Sequence, residues 1–176
     1  ELTELVKRLS ALAKVGMSPS AATLEAVDLT ETTRECLERF LPAFGEKGIE
    51  VEISGGDPAV VARGDKTLCR IVLNNLLDNA SCHASPGTTV VVALESASGK
   101  ARVRISNGTP GSPGDVERWF EPLFRRNESR HDAGSHLGIG LTLSRQAAVA
   151  MEGSLIAKAS GDHRVEFIFE LPLSGC

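Results

Sequence analysis

The sequence predicts an α+β fold in which a mixed, mostly antiparallel sheet packs on helices in two layers. Three observations carry this. One long apolar helical run, from residue 66 to 82 or 83, has an acidic cap in front of it. Two pairs of alternating segments, "TTVVVALES" with "KARVRIS" and "SLIAKAS" with "RVEFIFELP", read as hairpins. Helical segments stand between the strand groups without the strict βαβ alternation of a parallel sheet.

Taken in order, "ELTELVKRLSALAKVG" spaces Leu2, Leu5, Leu9 and Leu12 as a heptad seam with charges elsewhere on its surface. A helix of two heptads cannot bury that stripe by itself. It either folds back on its own domain or is the tail of a bundle or dimer helix. The Ser- and Pro-containing stretch that follows, residues 17–26, reads as a linker and favours the second. The expected organisation is therefore a helix end over 1–16, a linker over 17–26 and one domain over 27–176.

From Asp28 a helix opens with acids in its first turn, and Gly45 and Gly48 are exit signals. "IEVEI" alternates as a half-buried strand, and "AVVAR" is a second short strand candidate. Asp65 caps the long helix, which runs to Cys82 or His83. Residues 107–136 are rich in Gly, Pro, Asn, Asp and Ser, broken only by "VERWFEPLF". A loop of that length in a compact domain points to a lid over a ligand. "LGIGLTLSRQAAVAM" is a helix with glycines at its start, ended by Gly153.

The 176 residues are 41% hydrophobic and 24% charged, a globular composition. A net charge of −4 argues against a nucleic-acid surface. No stretch approaches the roughly 20 apolar residues of a membrane helix. Cys36, Cys69, Cys82 and Cys176 show no metal-type spacing. Reduced thiols and a cytoplasmic setting are expected, although a parent protein could be membrane-anchored.

The chemistry concentrates in two places. In "IVLNNLLDNASCHA", Asn75 and Asn79 lie four residues apart on one helix face, with Asp78 and Cys82 on its flank and His83 beyond. A row of oxygen-bearing side chains suits a hard cation such as Mg2+. In "AGSHLGIGLTLSRQ", Gly134, Gly138 and Gly140 precede or begin a helix whose free N–H groups favour phosphate. It is neither a Walker loop nor a dinucleotide fingerprint.

The order "NLLDNA", "ISNGTPG", "WFEPLF", "GSHLGIGLTLSRQ" resembles the N, first-glycine, F and second-glycine boxes of bacterial sensor histidine kinases. These belong to the GHKL superfamily with gyrase, mismatch-repair and chaperone ATPases, and share the Bergerat ATP-binding fold. The resemblance runs over roughly residues 27–172.

It implies Mg-ATP as the bound nucleotide and transfer of its γ-phosphoryl to a histidine on a helix upstream of this chain. A response-regulator receiver domain would take the phosphoryl from there. The Leu2–Leu12 seam resembles the end of a dimerisation-bundle helix, which implies a homodimer. Asn79 matches the Mg2+-coordinating Asn, and Asn75 matches the first Asn of the same box. Phe120 and Phe124 match the aromatics that anchor the lid, and Gly138 and Gly140 the glycines that let it close. Arg125 or Arg126 stands where a cation can reach phosphate.

The hydrolysing cousins carry Glu where this chain has Asn75. An amide cannot take a proton, so the resemblance points to the kinase branch. The first-glycine box departs from its DxGxG form. Either Ser106 replaces the Asp, or Asn107 does so with a small deletion before Gly108, and the second alignment is preferred because an amide oxygen can still accept from adenine.

Cys82 replaces a frequent Lys or Arg. His83 reads as a ring packed beside the site, and His136 stands where a third lid glycine is common. None of His83, His131, His136 and His163 lies in the N-terminal helix, and "HD" at 131–132 falls in the lid. The competing expectation is a degenerate kinase-like domain that has lost ATP and serves as a regulatory docking module.

Overall fold

The computed structural model of the chain describes residues 22–124, 138–161 and 163–175. The chain starts with β1 (Glu25–Asp28), which runs directly into α1 (Leu29–Glu38). Asp28 ends the strand and caps the helix, its carboxylate accepting from the Glu31 amide at 2.9 Å. A separate short helix, α2 (Leu41–Glu46), follows with Pro42 in its first turn, where a missing N–H costs nothing. Then come β2 (Glu50–Gly55), β3 (Val61–Gly64) and the long α3 (Lys66–His83). The hairpin β4 (Thr89–Ala97) and β5 (Lys100–Gly108) is followed by a 3-10 turn at Val116–Phe120. α4 (Gly140–Ala150), β6 (Ser154–Ala159) and β7 (Arg164–Pro172) complete the fold.

Five strands form one sheet in the order β2-β4-β5-β7-β6. β2 and β4 are parallel because the chain leaves the sheet through β3 and α3 before returning; the other pairs are antiparallel. One face is apolar: Val90, Val92 and Leu94 of β4, Val103 and Ile105 of β5, and Phe167 and Phe169 of β7 are all buried. Against it lie Leu68, Val72, Leu73, Leu76, Leu77 and Ala80 of α3, with Ala147 and Ala148 of α4. Each fully buried leucine contributes about 1.5–3 kcal/mol. The opposite face is polar. Arg102 there bridges Glu95 and Glu170, and Arg104 sits beside Glu95. One apolar and one charged sheet face make the two-layer α+β sandwich that the hairpin patterns predict.

Four local expectations change. Ala59–Arg63 does not join the main sheet: β3 pairs with β1, a strand absent from the sequence reading, and β1 begins inside the segment read as linker. β2 is an edge strand whose half-burial fades along its length: Ile49, just before it, is 5% exposed, Val51 is intermediate and Ile53 is 46% exposed. The segment before Gly45 is a second helix rather than the end of the first. β5 continues to Gly108, so Asn107 and Gly108 belong to a strand instead of opening a loop.

The heptad seam over 1–16 and half of the linker lie outside the described residues, as do Arg125, Arg126, His131, Gly134, His136 and Cys176. Among the described residues no helix is long and apolar enough to cross a membrane.

Candidate functional site

α3 is anchored at its start by Asp65, whose carboxylate accepts from the amides of Thr67 at 2.8 Å and Leu68 at 3.0 Å. At its other end the Lys47 ammonium donates to the carbonyls of Ser81 and Cys82, at 2.5 and 3.1 Å. Two carbonyls that the helix leaves open are thereby paired. Held at both ends, the helix presents its asparagines along the flank of the core.

The asparagines do different things. Asn75 is 7% exposed, and its side-chain nitrogen donates to Ser144 Oγ at 2.9 Å and to the Gly140 carbonyl at 3.2 Å. Ser144 is fully buried and donates in turn to the same Gly140 carbonyl at 2.9 Å. Asn75 therefore ties α3 to the first turn of α4. Asn74 donates to the Arg70 carbonyl within its own helix at 2.7 Å. The Oδ1 atoms of Asn74 and Asn79 are both buried and accept no hydrogen bond.

The end of β5 carries a third such oxygen. Asn107 is fully buried, its nitrogen donating to the Gly108 carbonyl at 2.9 Å while its Oδ1 is buried and unpartnered. Strand alternation separates it from Ser106. Asn107 follows Val103 and Ile105 on the core side, whereas Ser106 lies on the outer face, with its hydroxyl 3.4 Å from Arg164. Burying an amide oxygen without a donor costs about 1–3 kcal/mol, so each of these oxygens calls for a partner.

The glycines at the start of α4 differ in necessity. Gly138 has φ +67, and a Cβ there would sit 2.9 Å from the Phe124 carbonyl oxygen. Its own carbonyl accepts from the Leu123 amide at 3.0 Å. At Gly140 a Cβ would meet Asn75 at 3.6 Å, an ordinary contact.

Phe120 is 5% exposed and stands edge-on to Phe167, ring centroids 6.5 Å apart. Its carbonyl accepts from the Thr142 hydroxyl at 2.8 Å. The Arg145 guanidinium lies 3.5 Å above its ring, donates to both Glu117 carboxylate oxygens at 3.2 and 3.0 Å, and reaches the Leu155 carbonyl at 3.0 Å. Phe124 is half-buried, with Arg118 5.0 Å from its ring.

Cys82 is exposed, and so is His83. His83 is thus not the packed ring the sequence suggested; in the last turn of α3 the contact with the core is carried by Ala80 and Ala84. Thr142, Ser144 and Arg145 escaped the sequence reading. Ser144 left one signal, a small polar residue four places after Gly140 in an apolar helix. Arg145 left none, since its partners arrive from elsewhere in the chain.

Among the described residues no three His, Cys, Asp or Glu side chains cluster to hold a metal. A divalent ion here would need phosphate and water for most of its ligands. The single unpartnered oxygen of Asn79 fits that arrangement, because Mg2+ usually takes one or two protein oxygens beside phosphate.

The family described as histidine kinase-, DNA gyrase B-, and HSP90-like ATPase matches residues 64–175. Sensor histidine kinase CusS of Escherichia coli strain K12 is 30% identical over 176 residues, covering 98% of this chain and 36% of its own length. The chain thus spans little more than a third of such relatives. Among solved structures, full-length ShkA in complex with AMPPNP superposes with a TM-score of 0.80 at 25% identity, over 98% of this chain and 36% of that one. The mycobacterial sensor histidine kinase MprB gives 0.71 at 26% identity, over 86% of this chain and 98% of that one. With more than half its length inside the family match, this chain belongs to the histidine kinase-, DNA gyrase B- and HSP90-like ATPases, on their bacterial sensor histidine kinase branch.

Proposed function

We propose that this domain binds ATP with Mg2+ and directs the γ-phosphoryl to a histidine on a helix outside this chain, for relay to a response-regulator receiver domain. The observation that carries the reading is that two of the three buried, donorless amide oxygens are Asn79 Oδ1 and Asn107 Oδ1. An adenine amino group is a donor that suits Asn107, and a phosphate-bound Mg2+ is a cation that suits Asn79. The ion would neutralise charge on the phosphates as the phosphoryl moves.

The chain's own residues supply positioning. Asn107 selects the base. Asn75 locks α3 against the first turn of α4, the helix start where free amides favour phosphate. Asn75 cannot act as a base, because its amide has no site for a proton and its nitrogen is already bonded to Ser144 and Gly140. An imidazole acceptor is nucleophilic without a base, so orientation and charge neutralisation suffice. The AMPPNP held by ShkA supports the nucleotide assignment. In this reading residues 1–16 end a dimerisation helix and 17–26 link it to the domain, with homodimerisation through that helix.

Calorimetric titration of the chain with AMPPNP, with and without Mg2+, tests the proposal. Micromolar to submillimolar binding that strengthens with Mg2+ and is lost in Asn79→Ala is the expected outcome. Asn107→Ala should bring ATP and GTP analogues to similar affinity. No binding at millimolar nucleotide would favour the docking-module alternative, for which the exposed Cys82 at an expected phosphate-binding position is the observation.

A further inference from the structure

We infer that Arg145 is a positioning residue, holding the start of α4 in the conformation that receives the nucleotide's phosphates without touching the nucleotide itself. The inference rests on the nucleotide reading above for its consequence, and on geometry alone for the positioning.

Arg145 is the point where three separate pieces of chain meet. Its guanidinium is stacked over the Phe120 ring at 3.5 Å, its terminal nitrogen takes both Glu117 oxygens, and its Nε bonds the Leu155 carbonyl of β6. The 3-10 turn carrying Glu117 and Phe120 is thereby clamped to α4 and β6. From the same helix, Thr142 fixes the Phe120 carbonyl. Three residues on, the Leu123 amide bonds Gly138, and the Phe124 carbonyl limits what Gly138 can carry. The line of contact runs Arg145, Phe120, Leu123, Gly138, and ends where α4 begins. Asn75 and Ser144 brace that first turn from the other side.

A guanidinium is suited to this because its flat face stacks while its edge donates in several directions, which an ammonium cannot do. With the clamp removed, the Phe120–Phe124 segment loses its stacking partner and its ion pair together. Among the described residues, the Leu123 backbone bond is then what holds Gly138. Groups that meet the phosphates should suffer, and groups that meet the base, at the end of β5, should not.

The test uses Arg145→Met, which keeps the aliphatic stem over Phe120, with Arg145→Lys and Glu117→Gln beside it. Two readouts are needed. In the nucleotide-free protein, hydrogen exchange at the Leu123 amide and through Gly140–Leu143 should accelerate about tenfold in Arg145→Met, with α3 and the sheet unchanged. By calorimetry, the ATP analogue should bind about tenfold more weakly while AMP binding moves less than about twofold. Arg145→Lys should fall between, since it keeps the Glu117 pair and loses the stack.

Equal losses for AMP and the ATP analogue would reduce Arg145 to general packing and overturn the inference. Unchanged exchange at Leu123 would overturn it also. If the wild-type chain binds neither nucleotide, the proposed function fails, and the exchange data still decide whether Arg145 positions this segment.

Discussion

Replacing Asn79 by Ala should make the nucleotide-free protein more stable and the nucleotide-dependent part of its stability vanish. The first effect follows from the oxygen. Asn79 Oδ1 is buried without a donor, at a cost of about 1–3 kcal/mol that the substitution removes. Ala is also the better helix former in the interior of α3, by about 0.5 kcal/mol. Against these stands the small gap left by three missing heavy atoms, about 1 kcal/mol. The balance is a gain of about 0.5–2.5 kcal/mol, or about 2–8 °C in melting temperature for a domain of this size. The second effect has the opposite sign. A ligand at a hundred times its Kd adds about 2.7 kcal/mol to the native state. Wild type should show that increment with Mg2+ and AMPPNP, and Asn79→Ala should not. Thermal melting followed by circular dichroism, with and without nucleotide, reads both. A lower melting temperature for the nucleotide-free variant would refute the reasoning, because it would mean the oxygen is already satisfied and Asn79 is structural. A retained nucleotide increment would refute its assignment to the ion.

Two further predictions concern the frame around the site. At Gly153 a Cβ would stand 2.1 Å from the Glu170 carbonyl oxygen and 2.5 Å from a Leu171 methyl, so Gly153→Ala should cost about 3 kcal/mol or more in a urea titration. Burial, and secondarily the Asp65 carboxylate, push the Cys69 thiol from 9.0 up to about 12. Above pH 9 the native state therefore holds a proton that the unfolded chain releases. Stability should fall by up to about 1.4 kcal/mol per pH unit as pH rises from 9 toward 12, and Cys69→Ala should flatten that slope in alkaline melts.

What the sequence made legible is what depends on near neighbours. α3 could be read because Asp65 caps it within three residues and its apolar run is long. The hairpins could be read because each closes over a short turn. β1 could not, since "EAVD" has little strand character and becomes a strand only by pairing with residues 61–64. The exposure of β2 was equally hidden, because alternation marks a strand without saying whether anything covers its apolar side. In the site the same division holds. The spacing of Asn75 and Asn79 put them on one face, but the partner of Asn75 is Ser144, 69 residues further along. Arg145 reads as a surface charge until the 3-10 turn is brought against it.

The amides themselves argue for what the site lacks. Asn74, Asn75 and Asn107 each direct a side-chain nitrogen at a backbone carbonyl, of Arg70, Gly140 and Gly108 respectively. A carbonyl only accepts, so exchanging oxygen and nitrogen in any of these side chains would set two acceptors against each other. The orientation is forced, and the oxygens are what remains. Three amide oxygens, on Asn74, Asn79 and Asn107, are then buried without donors, while no buried amide nitrogen among the described residues lacks a partner. The imbalance has one direction. Amides short of donors gain nothing from an anion at these positions, and gain from an amino group or a metal cation. It also explains why restoring the family's Asp at residue 107 should not be a simple repair. One carboxylate oxygen would face the Gly108 carbonyl in place of the amide nitrogen that now bonds it. Asn107→Asp should therefore destabilise the nucleotide-free domain by about 1–3 kcal/mol in denaturant melts, the cost of a buried acceptor set against an acceptor. A variant as stable as wild type would mean that the Gly108 carbonyl does not set the orientation of this amide.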